Sequence, residues 1–234
     1  MIKRIVSICC CFISLVQAQE KSTVFGLQYK PIIPAAYFNA SNSSASWEGY
    51  QFNLAPKYSY SLGMVVRTEL NRTFFFETGI NYIDRNLQLS TVNNSISLND
   101  YTTFSIRSYE VPYQLLTYVQ VSNDVYLNVA FGFSHNIFAS DVYSEGEADY
   151  QFIQNTLKRK RIQMAMLANI GAEFRTKRNG IFYVGTSLHR PWKEIGRIYP
   201  EYDDFNEQAP STDAYYIGVL GNFLTIDFRY YFQE

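Results

Sequence analysis

The chain has 234 residues, a formal net charge of -1, 18% charged residues and 17% aromatic residues. Disordered chains carry much charge and few aromatic residues, so this composition excludes disorder. A mean hydropathy of -0.17 excludes a bundle of membrane-spanning helices. Nucleic acid is excluded as a partner, because phosphate binding requires a concentrated excess of lysine and arginine.

Residues 1–18 have the three parts of a secretory signal peptide. Lys3 and Arg4 are basic, residues 5–16 form a short apolar segment, and Ala18 ends a small-residue cleavage site. The apolar segment is too short to span a bilayer as a helix, and no stop-transfer pattern follows it, which disfavours a retained membrane anchor. We therefore expect export, a mature chain that begins at Gln19, and one domain over residues 19–234.

The cysteines bear on metal and disulfide chemistry. All three of them, Cys9, Cys10 and Cys11, lie within the signal segment. The mature chain would therefore have neither a disulfide framework nor a thiolate metal site. The acidic residues between 201 and 207 lack the spacing and the turn glycine of a calcium loop. We expect no cofactor and no metal.

Apolar and polar residues alternate with a period of two through most of the remaining chain. Successive side chains of a strand point to opposite faces, so this alternation predicts strands with one apolar face. The eight predicted strands, identified by the ends of their apolar faces, are Phe25 to Tyr29, Tyr60 to Leu70, Phe74 to Tyr82, Val111 to Val121, Val125 to Phe133, Ile162 to Phe174, Phe182 to Leu188 and Leu224 to Phe232. Their opposite faces carry small, polar and charged residues.

The connections between these strands are of two kinds. Short turns near residues 71–72, 122–124 and 177–180 join three hairpins, and Asn179-Gly180 is the strongest two-residue hairpin signal. Four long polar connections alternate with the short turns along the chain, near residues 31–57, 88–104, 140–158 and 190–214. One end of the sheet is therefore predicted to have tight turns and the other long loops.

This asymmetry indicates the fold class. A soluble sandwich uses shorter strands and does not sort its loops by length to opposite ends. Strands that cross a bilayer need about 9–11 residues, alternate their faces and close into a ring. We predict an all-β, eight-stranded antiparallel up-and-down transmembrane β-barrel with short periplasmic turns and long extracellular loops. The alternative is a soluble barrel of lipocalin type, with its apolar residues inside.

Three segments carry a resemblance to a known family. They are the stretch from Gly63 to Asn86, the strand start Tyr109-Glu110-Val111-Pro112, and the ending from Leu224 to Phe232. Together they resemble the small outer-membrane β-barrels of the Bacteroidota, of OmpA type or PorT-like. The resemblance implies the cell outer membrane, with its lipids and lipopolysaccharide, as the location. It also implies insertion by the barrel-assembly machinery, with a secretion accessory role as one functional alternative.

A second alternative is a lipid A-modifying barrel enzyme, because some eight-stranded outer-membrane barrels use a serine and a histidine for that chemistry. The two histidines, His135 and His189, are predicted near the outer ends of strands. Ser187 and His189 share a face, but side chains two apart on a strand diverge, and no acid is assigned to orient the ring. We therefore predict rim histidines, no catalytic residue and no enzymatic activity.

Charged residues on the predicted inner face indicate how the lumen is occupied. They are Arg67, Glu69, Glu77, Glu173, Arg175, Asp227 and Arg229, and all of them map to the periplasmic half. An eight-stranded lumen is just wide enough for side chains. We expect opposite charges to pair and fill it, although an ion or proton relay is the functional alternative.

The outer end is where partners are expected. The basic run Lys158-Arg159-Lys160-Arg161 is either a solvated loop base or a contact for lipopolysaccharide phosphates. The long extracellular loops offer a surface to an unidentified protein partner. The sequence thus predicts a non-enzymatic outer-membrane barrel with a filled lumen, structural or partner-binding in role.

Overall fold

The computed structural model describes residues 22–34, 44–47, 49–148, 151–202 and 216–232. The predicted signal peptide and its cleavage site lie outside the described residues. Within the described ranges every regular element is a β-strand. No helix in this part of the chain is long and apolar enough to cross a membrane.

Fourteen strands form the regular structure of the described residues. In chain order they are β1 (Thr23–Ile33), β2 (Ser44–Trp47), β3 (Tyr50–Pro56), β4 (Ser59–Glu69), β5 (Phe74–Asn93), β6 (Leu98–Ser122), β7 (Val125–Phe138), β8 (Val142–Glu145), β9 (Phe152–Lys158), β10 (Ile162–Arg175), β11 (Ile181–Pro191), β12 (Gly196–Tyr202), β13 (Ile217–Val219) and β14 (Phe223–Tyr231).

Eight of these strands form a closed antiparallel ring, in the order β1, β4, β5, β6, β7, β10, β11, β14. The ring closes at β1, where Gly26 is opposite Val65 of β4 on one side and Tyr231 of β14 on the other. Closure pairs the backbone groups of the two edge strands, β1 and β14, with each other. A barrel in lipid requires this pairing, because hydrocarbon offers no hydrogen-bond partner to an unpaired backbone group. The predicted eight-stranded up-and-down barrel is confirmed.

The predicted faces of the barrel strands are also confirmed. On β7, the Phe131 side chain is 58% exposed on the outer surface, whereas the neighbouring Ala130 is 2% exposed and points inward. The other barrel strands also expose large apolar side chains, among them Leu27, Leu62, Met64, Ile80, Leu115, Met166, Ile170, Val184, Ile226 and Phe228. An apolar outer surface is the reverse of a lipocalin-type soluble barrel, so that alternative is wrong.

One end of the barrel has only short turns, and we call it the turn end. In the turn between β4 and β5, the Asn71 side-chain oxygen accepts hydrogen bonds from the backbone N–H groups of Thr73 (2.9 Å) and Phe74 (2.8 Å). The turn between β10 and β11 ends at Gly180, whose φ of 75° favours glycine. In outer-membrane barrels short turns lie on the periplasmic side.

The opposite end differs from the sequence prediction of long polar loops. β5 and β6 continue beyond the barrel as one long hairpin, and β3 pairs with the extension of β5, with Leu54 opposite Leu89. A second sheet has the order β13, β12, β9, β8. Its strands β8, β9 and β12 lie in the two other predicted loops, and β13 follows the last of these loops. We call these extensions together with β2, β3 and the second sheet the β-cap.

The two sheets of the β-cap share an apolar core. Its buried members are Phe52, Leu54, Leu87, Leu89, Phe104, Ile106, Phe138, Phe152, Ile195, Ile198, Ile217 and Val219. The rings of Phe52 and Phe152 stack across the two sheets with their centroids 6.2 Å apart. In the sequence these apolar residues occur in short runs in which they alternate with polar ones, so the segments resemble polar loops. Only the packing of the two sheets shows that the apolar residues form a core.

The first prediction tests the outer face of the barrel. Replacing Phe131 by arginine places a charge in lipid near the middle of β7 and should destabilise the folded barrel by about 2–4 kcal/mol. Urea unfolding in lipid vesicles measures this change. Ala130→Arg should instead act through crowding of the lumen, and wild-type stability of Phe131→Arg would contradict the assigned faces.

A second prediction tests the β-cap core. Leu89→Ala removes a fully buried side chain, which should destabilise the cap by about 2–5 kcal/mol. Hydrogen exchange measured by mass spectrometry should show faster exchange in β3, β9 and β12, with the barrel strands unchanged. Leu157→Ala, on the exposed side of β9, is the matched control and should leave exchange as in the wild type. Equal exchange in both variants would contradict a shared cap core.

Candidate functional site: the barrel lumen

Inward-facing charges meet in the half of the lumen next to the turn end. We call this set the lumen charge network. Its members are Lys30, Arg67, Glu77, Glu173, Arg175, Asp227 and Arg229. They come from β1, β4, β5, β10 and β14. Side chains at the inward positions of these strands meet because the lumen of an eight-stranded barrel is narrow.

Arg67 joins two carboxylates across the lumen. Its Nη1 donates to Glu173 Oε2 at 2.7 Å, while Nε and Nη2 donate to Glu77 Oε2 at 3.2 and 3.1 Å. The guanidinium carbon lies 3.9 Å from the centroid of the Tyr231 ring, within cation–π range. Charge-assisted hydrogen bonds of this kind are the strong ones, and here they connect β4, β5 and β10.

Arg229 forms the matching connection from β14. It donates to Glu77 Oε1 at 2.5 Å and to Asp227 Oδ2 at 2.7 Å. The Tyr231 hydroxyl donates to Glu77 Oε2 at 2.7 Å. Glu77 therefore accepts hydrogen bonds from two guanidinium groups and a phenol, which satisfies both oxygens of a fully buried carboxylate.

Asp227 is satisfied largely by neutral groups. Its oxygens accept hydrogen bonds from the hydroxyls of Ser187 (2.6 Å) and Thr225 (2.5 Å) and from the Asn169 amide (3.2 Å). The Lys30 ammonium lies 3.6 Å away. The sequence prediction left out Lys30, although its place next to the outward-facing Tyr29 assigns it to the inner face.

The predicted pairing of inward charges is confirmed for six of the seven predicted residues. Arg175 completes the network by donating to Glu173 Oε1 at 2.8 Å. Glu69 is the exception: it is half-buried at the end of β4 and forms no ion pair with any described residue. Its inward position is as predicted, but it is the last residue of β4 and lies next to the turn, away from the described cations of the network.

Bulky aromatic side chains fill the space around the charges. Tyr183 and Tyr231 are fully buried, and Tyr183 donates to the Asn169 side-chain oxygen at 2.7 Å. The Arg229 guanidinium carbon lies 4.7 Å from the centroid of the Tyr183 ring, and that of Arg175 lies 4.0 Å from the Tyr126 ring. The turn half of the lumen is therefore packed with side chains from wall to wall.

A second polar layer lies nearer the β-cap. His189 is buried in the lumen, with Nε2 3.2 Å from Glu110 Oε1 and its ring stacked 4.3 Å from that of Phe223. Asn81 donates to the other oxygen of Glu110 at 2.9 Å. His189 lies near the outer end of β11, as predicted. The prediction of a rim histidine is nevertheless wrong, because its side chain points inward and is buried against Glu110 and Phe223.

His135 behaves differently from His189. It lies on the outer face of β7, half-buried, in edge-to-face contact with the rings of Tyr113 (5.7 Å) and Phe133 (6.3 Å). Its outward position near the upper part of the barrel agrees with the rim prediction.

The serine and histidine considered for catalysis point to different partners. The Ser187 hydroxyl donates to Asp227, while His189 contacts Glu110 and Phe223. The cavity that these residues border has a volume of about 20 Å³, roughly the room for one water molecule. The arrangement therefore holds polar groups in place without leaving space for a substrate.

Among the described residues, no group of three or more His, Cys, Asp or Glu side chains is placed to hold a metal ion.

The basic run at the outer end of β9 divides into two parts. Lys158 is engaged by Asp141, which accepts its backbone N–H at 2.8 Å and its ammonium at 3.1 Å. This backbone hydrogen bond, reinforced by the ammonium, lowers the pKa of Asp141. Arg159 to Arg161 remain exposed.

A closed antiparallel ring with an apolar outer surface and a polar, filled lumen defines an outer-membrane β-barrel protein. The chain belongs to the family described as outer membrane protein beta-barrel domain, whose model matches residues 18–189. It is located in the outer membrane, as the members of that family are. No curated protein matches the chain in a sequence comparison.

Solved structures with a similar fold share little sequence with this chain. The outer membrane protein OprG from Pseudomonas aeruginosa is 11% identical, with a TM-score of 0.52 over 91% of this chain and 96% of that one. This likeness concerns the fold alone. The outer membrane protease OmpT from Escherichia coli is 10% identical, with a TM-score of 0.36 over 92% of this chain and 99% of that one. That score is too low to support an argument about activity.

The third prediction concerns Glu77. Glu77→Gln keeps the shape of the side chain but leaves Arg67 and Arg229 without their shared anion, which should destabilise the barrel by about 3–5 kcal/mol. Glu69→Gln is the matched control, because Glu69 lies on the same inner face without an ion pair, and it should cost less than about 1 kcal/mol. Equal urea midpoints for the two variants in lipid vesicles would contradict the role of Glu77.

Proposed function

We propose that this protein is a closed, non-enzymatic outer-membrane barrel that holds the β-cap at the cell surface, where the cap binds a partner. The observation that supports closure is the lumen charge network, which joins five of the eight barrel strands through side chains that meet at the barrel axis. A solute crossing the barrel would have to separate these pairs, at a cost of several kcal/mol for each charge left unpaired.

The proposal that the chain is not an enzyme has separate support. A barrel hydrolase needs a serine within hydrogen-bond reach of a histidine, next to a space that accepts the lipid. The Ser187 hydroxyl donates its hydrogen bond to Asp227, and the cavity beside His189 has a volume of only about 20 Å³. Neither the donor geometry nor the space favours a lipid A-modifying activity.

The β-cap is the surface that we propose for a protein partner. On the outward side of its second sheet, Tyr143, Asn155 and Tyr199 lie opposite one another in one row across β8, β9 and β12. Tyr216 lies beside this row, 6.0 Å from Tyr199 and 4.1 Å from the Arg197 guanidinium. Tyrosine and arginine are enriched in protein interfaces, because each combines a large contact area with hydrogen-bonding capacity.

Two finer features of the family resemblance belong to the same proposal. We propose that the chain is a PorT-like barrel of the Bacteroidota type, in which an accessory role in secretion would use the β-cap as its contact surface. We also propose insertion by the barrel-assembly machinery, supported by the terminal strand β14, which presents Ile226 and Phe228 to lipid.

The fourth prediction tests closure. Purified full-length protein in a planar bilayer should give no steady single-channel steps, because charged and aromatic side chains occupy the lumen. A general porin, recorded under the same conditions, is the positive control. Steady conductance from the wild-type protein would contradict the closed barrel and favour a porin-like or ion-relay function.

A further inference from the structure

A groove lies on the outer surface where β10 begins and β11 ends. Its upper wall is formed by Arg159, Lys160 and Lys193, and its floor by Ile162, Met164 and Trp192. The Trp192 side chain is 59% exposed, and its backbone N–H donates to the Met164 carbonyl at 3.1 Å. The groove therefore combines a cationic rim with an apolar and aromatic base.

The apolar base of the groove continues directly into the lipid-facing surface of the barrel. Ile162, Met166, Ile170 and Phe174 are exposed at every second outward position of β10, from the groove towards the turn end. The groove is thus the upper limit of the apolar belt on this strand. Trp192 lies at the level where tryptophan is enriched in membrane proteins, between hydrocarbon and polar headgroups.

The cations of the groove are available for a ligand. Lys160 and Lys193 are exposed and form no ion pair with any residue in the described ranges. Arg159 has one long contact, 3.4 Å from its Nη1 to Glu194 Oε2, at an exposed position. Arg190 lies on the lipid-facing side of β11 next to Met166 and extends the positive charge downward. In a chain with a net charge of -1, this concentration of cations is local.

We propose that this groove binds a phosphorylated glycolipid of the outer leaflet, the lipid A part of lipopolysaccharide. Lys160, Lys193 and Arg159 contact its phosphates through charge-assisted hydrogen bonds, the interaction by which these side chains recognise phosphate. An acyl chain lies along Ile162 and Met164, and the Trp192 ring packs between the acyl chain and the sugar. The site is independent of the partner proposed for the β-cap.

The structure also selects among the residues of the basic run. Lys158, which belongs to the same run, is engaged by Asp141 and does not line the groove. Lys193 and Trp192 come from the far side of the β10–β11 hairpin and complete the groove, although 32 residues or more separate them from Lys160. The basic run in the sequence therefore indicates only the part of the groove formed by Arg159 and Lys160.

The test measures lipid A binding to the full-length protein in detergent micelles by native mass spectrometry. The double variant Lys160→Gln and Lys193→Gln removes two phosphate contacts and should weaken binding by about 25-fold, since each lysine near an anionic lipid surface contributes about fivefold. The double variant Lys177→Gln and Arg178→Gln changes the same charge at the exposed turn end and should bind as the wild type does. Both variants should retain the heat-dependent gel shift of a folded barrel.

Three further ligands identify the source of the phosphate. Dephosphorylated lipid A and phosphatidylglycerol should bind at least tenfold more weakly than lipid A, and inorganic phosphate at millimolar concentration should not displace lipid A. Undiminished lipid A binding by Lys160→Gln with Lys193→Gln would overturn the proposal. Equal binding of the dephosphorylated form or of phosphatidylglycerol would also overturn it, as would displacement by free phosphate.

Discussion

The carboxylate of Glu77 is the point on which the interior of the barrel depends. It accepts hydrogen bonds from Arg67, Arg229 and Tyr231, which come from two other strands of the ring. Through Arg67 the contact extends to Glu173 on β10, and through Arg229 to Asp227 on β14. Five charges of this network are buried, namely Arg67, Glu77, Glu173, Asp227 and Arg229. Leaving one of them unpaired would cost several kcal/mol. The network therefore holds opposite walls of the barrel at one separation.

This polar interior is the counterpart of an apolar exterior. Lipid solvates large apolar side chains such as Phe131 and Phe228 without any need to bury them against protein. The core of the membrane segment can then consist of hydrogen bonds and ion pairs, as long as they are satisfied. The β-cap lies beyond the lipid and follows the opposite rule, with Leu89, Phe104 and Ile198 buried between two sheets. One chain thus contains two cores of different chemistry, arranged along the barrel axis.

The binding that we propose for this protein takes place on its surfaces, not in its lumen. The lumen is filled, and its groups bind one another. The outward side of the second cap sheet, with Tyr143 and Tyr199, and the groove between Lys160 and Lys193 are open to partners. The groove lies at the junction of barrel and cap, so a bound glycolipid would contact the membrane-spanning strands and the base of the β-cap together. Such a glycolipid would help to hold the β-cap in a fixed position relative to the membrane surface.

The sequence by itself determined the barrel, its faces and the position of its turns. Alternation with a period of two assigns Phe131 to lipid and Ala130 to the lumen, and Asn179-Gly180 marks a hairpin, because both signals are local. It also indicated that inward charges pair. Only the tertiary structure decided which ones do: Glu69 and Glu77 share a face, yet Glu77 alone meets Arg67 and Arg229 across the lumen. The burial of His189 and the formation of the β-cap were likewise decided by contacts between distant segments. Such contacts depend on how strands that are far apart in sequence are brought together. The alternation of apolar and polar residues within one strand contains no information about this.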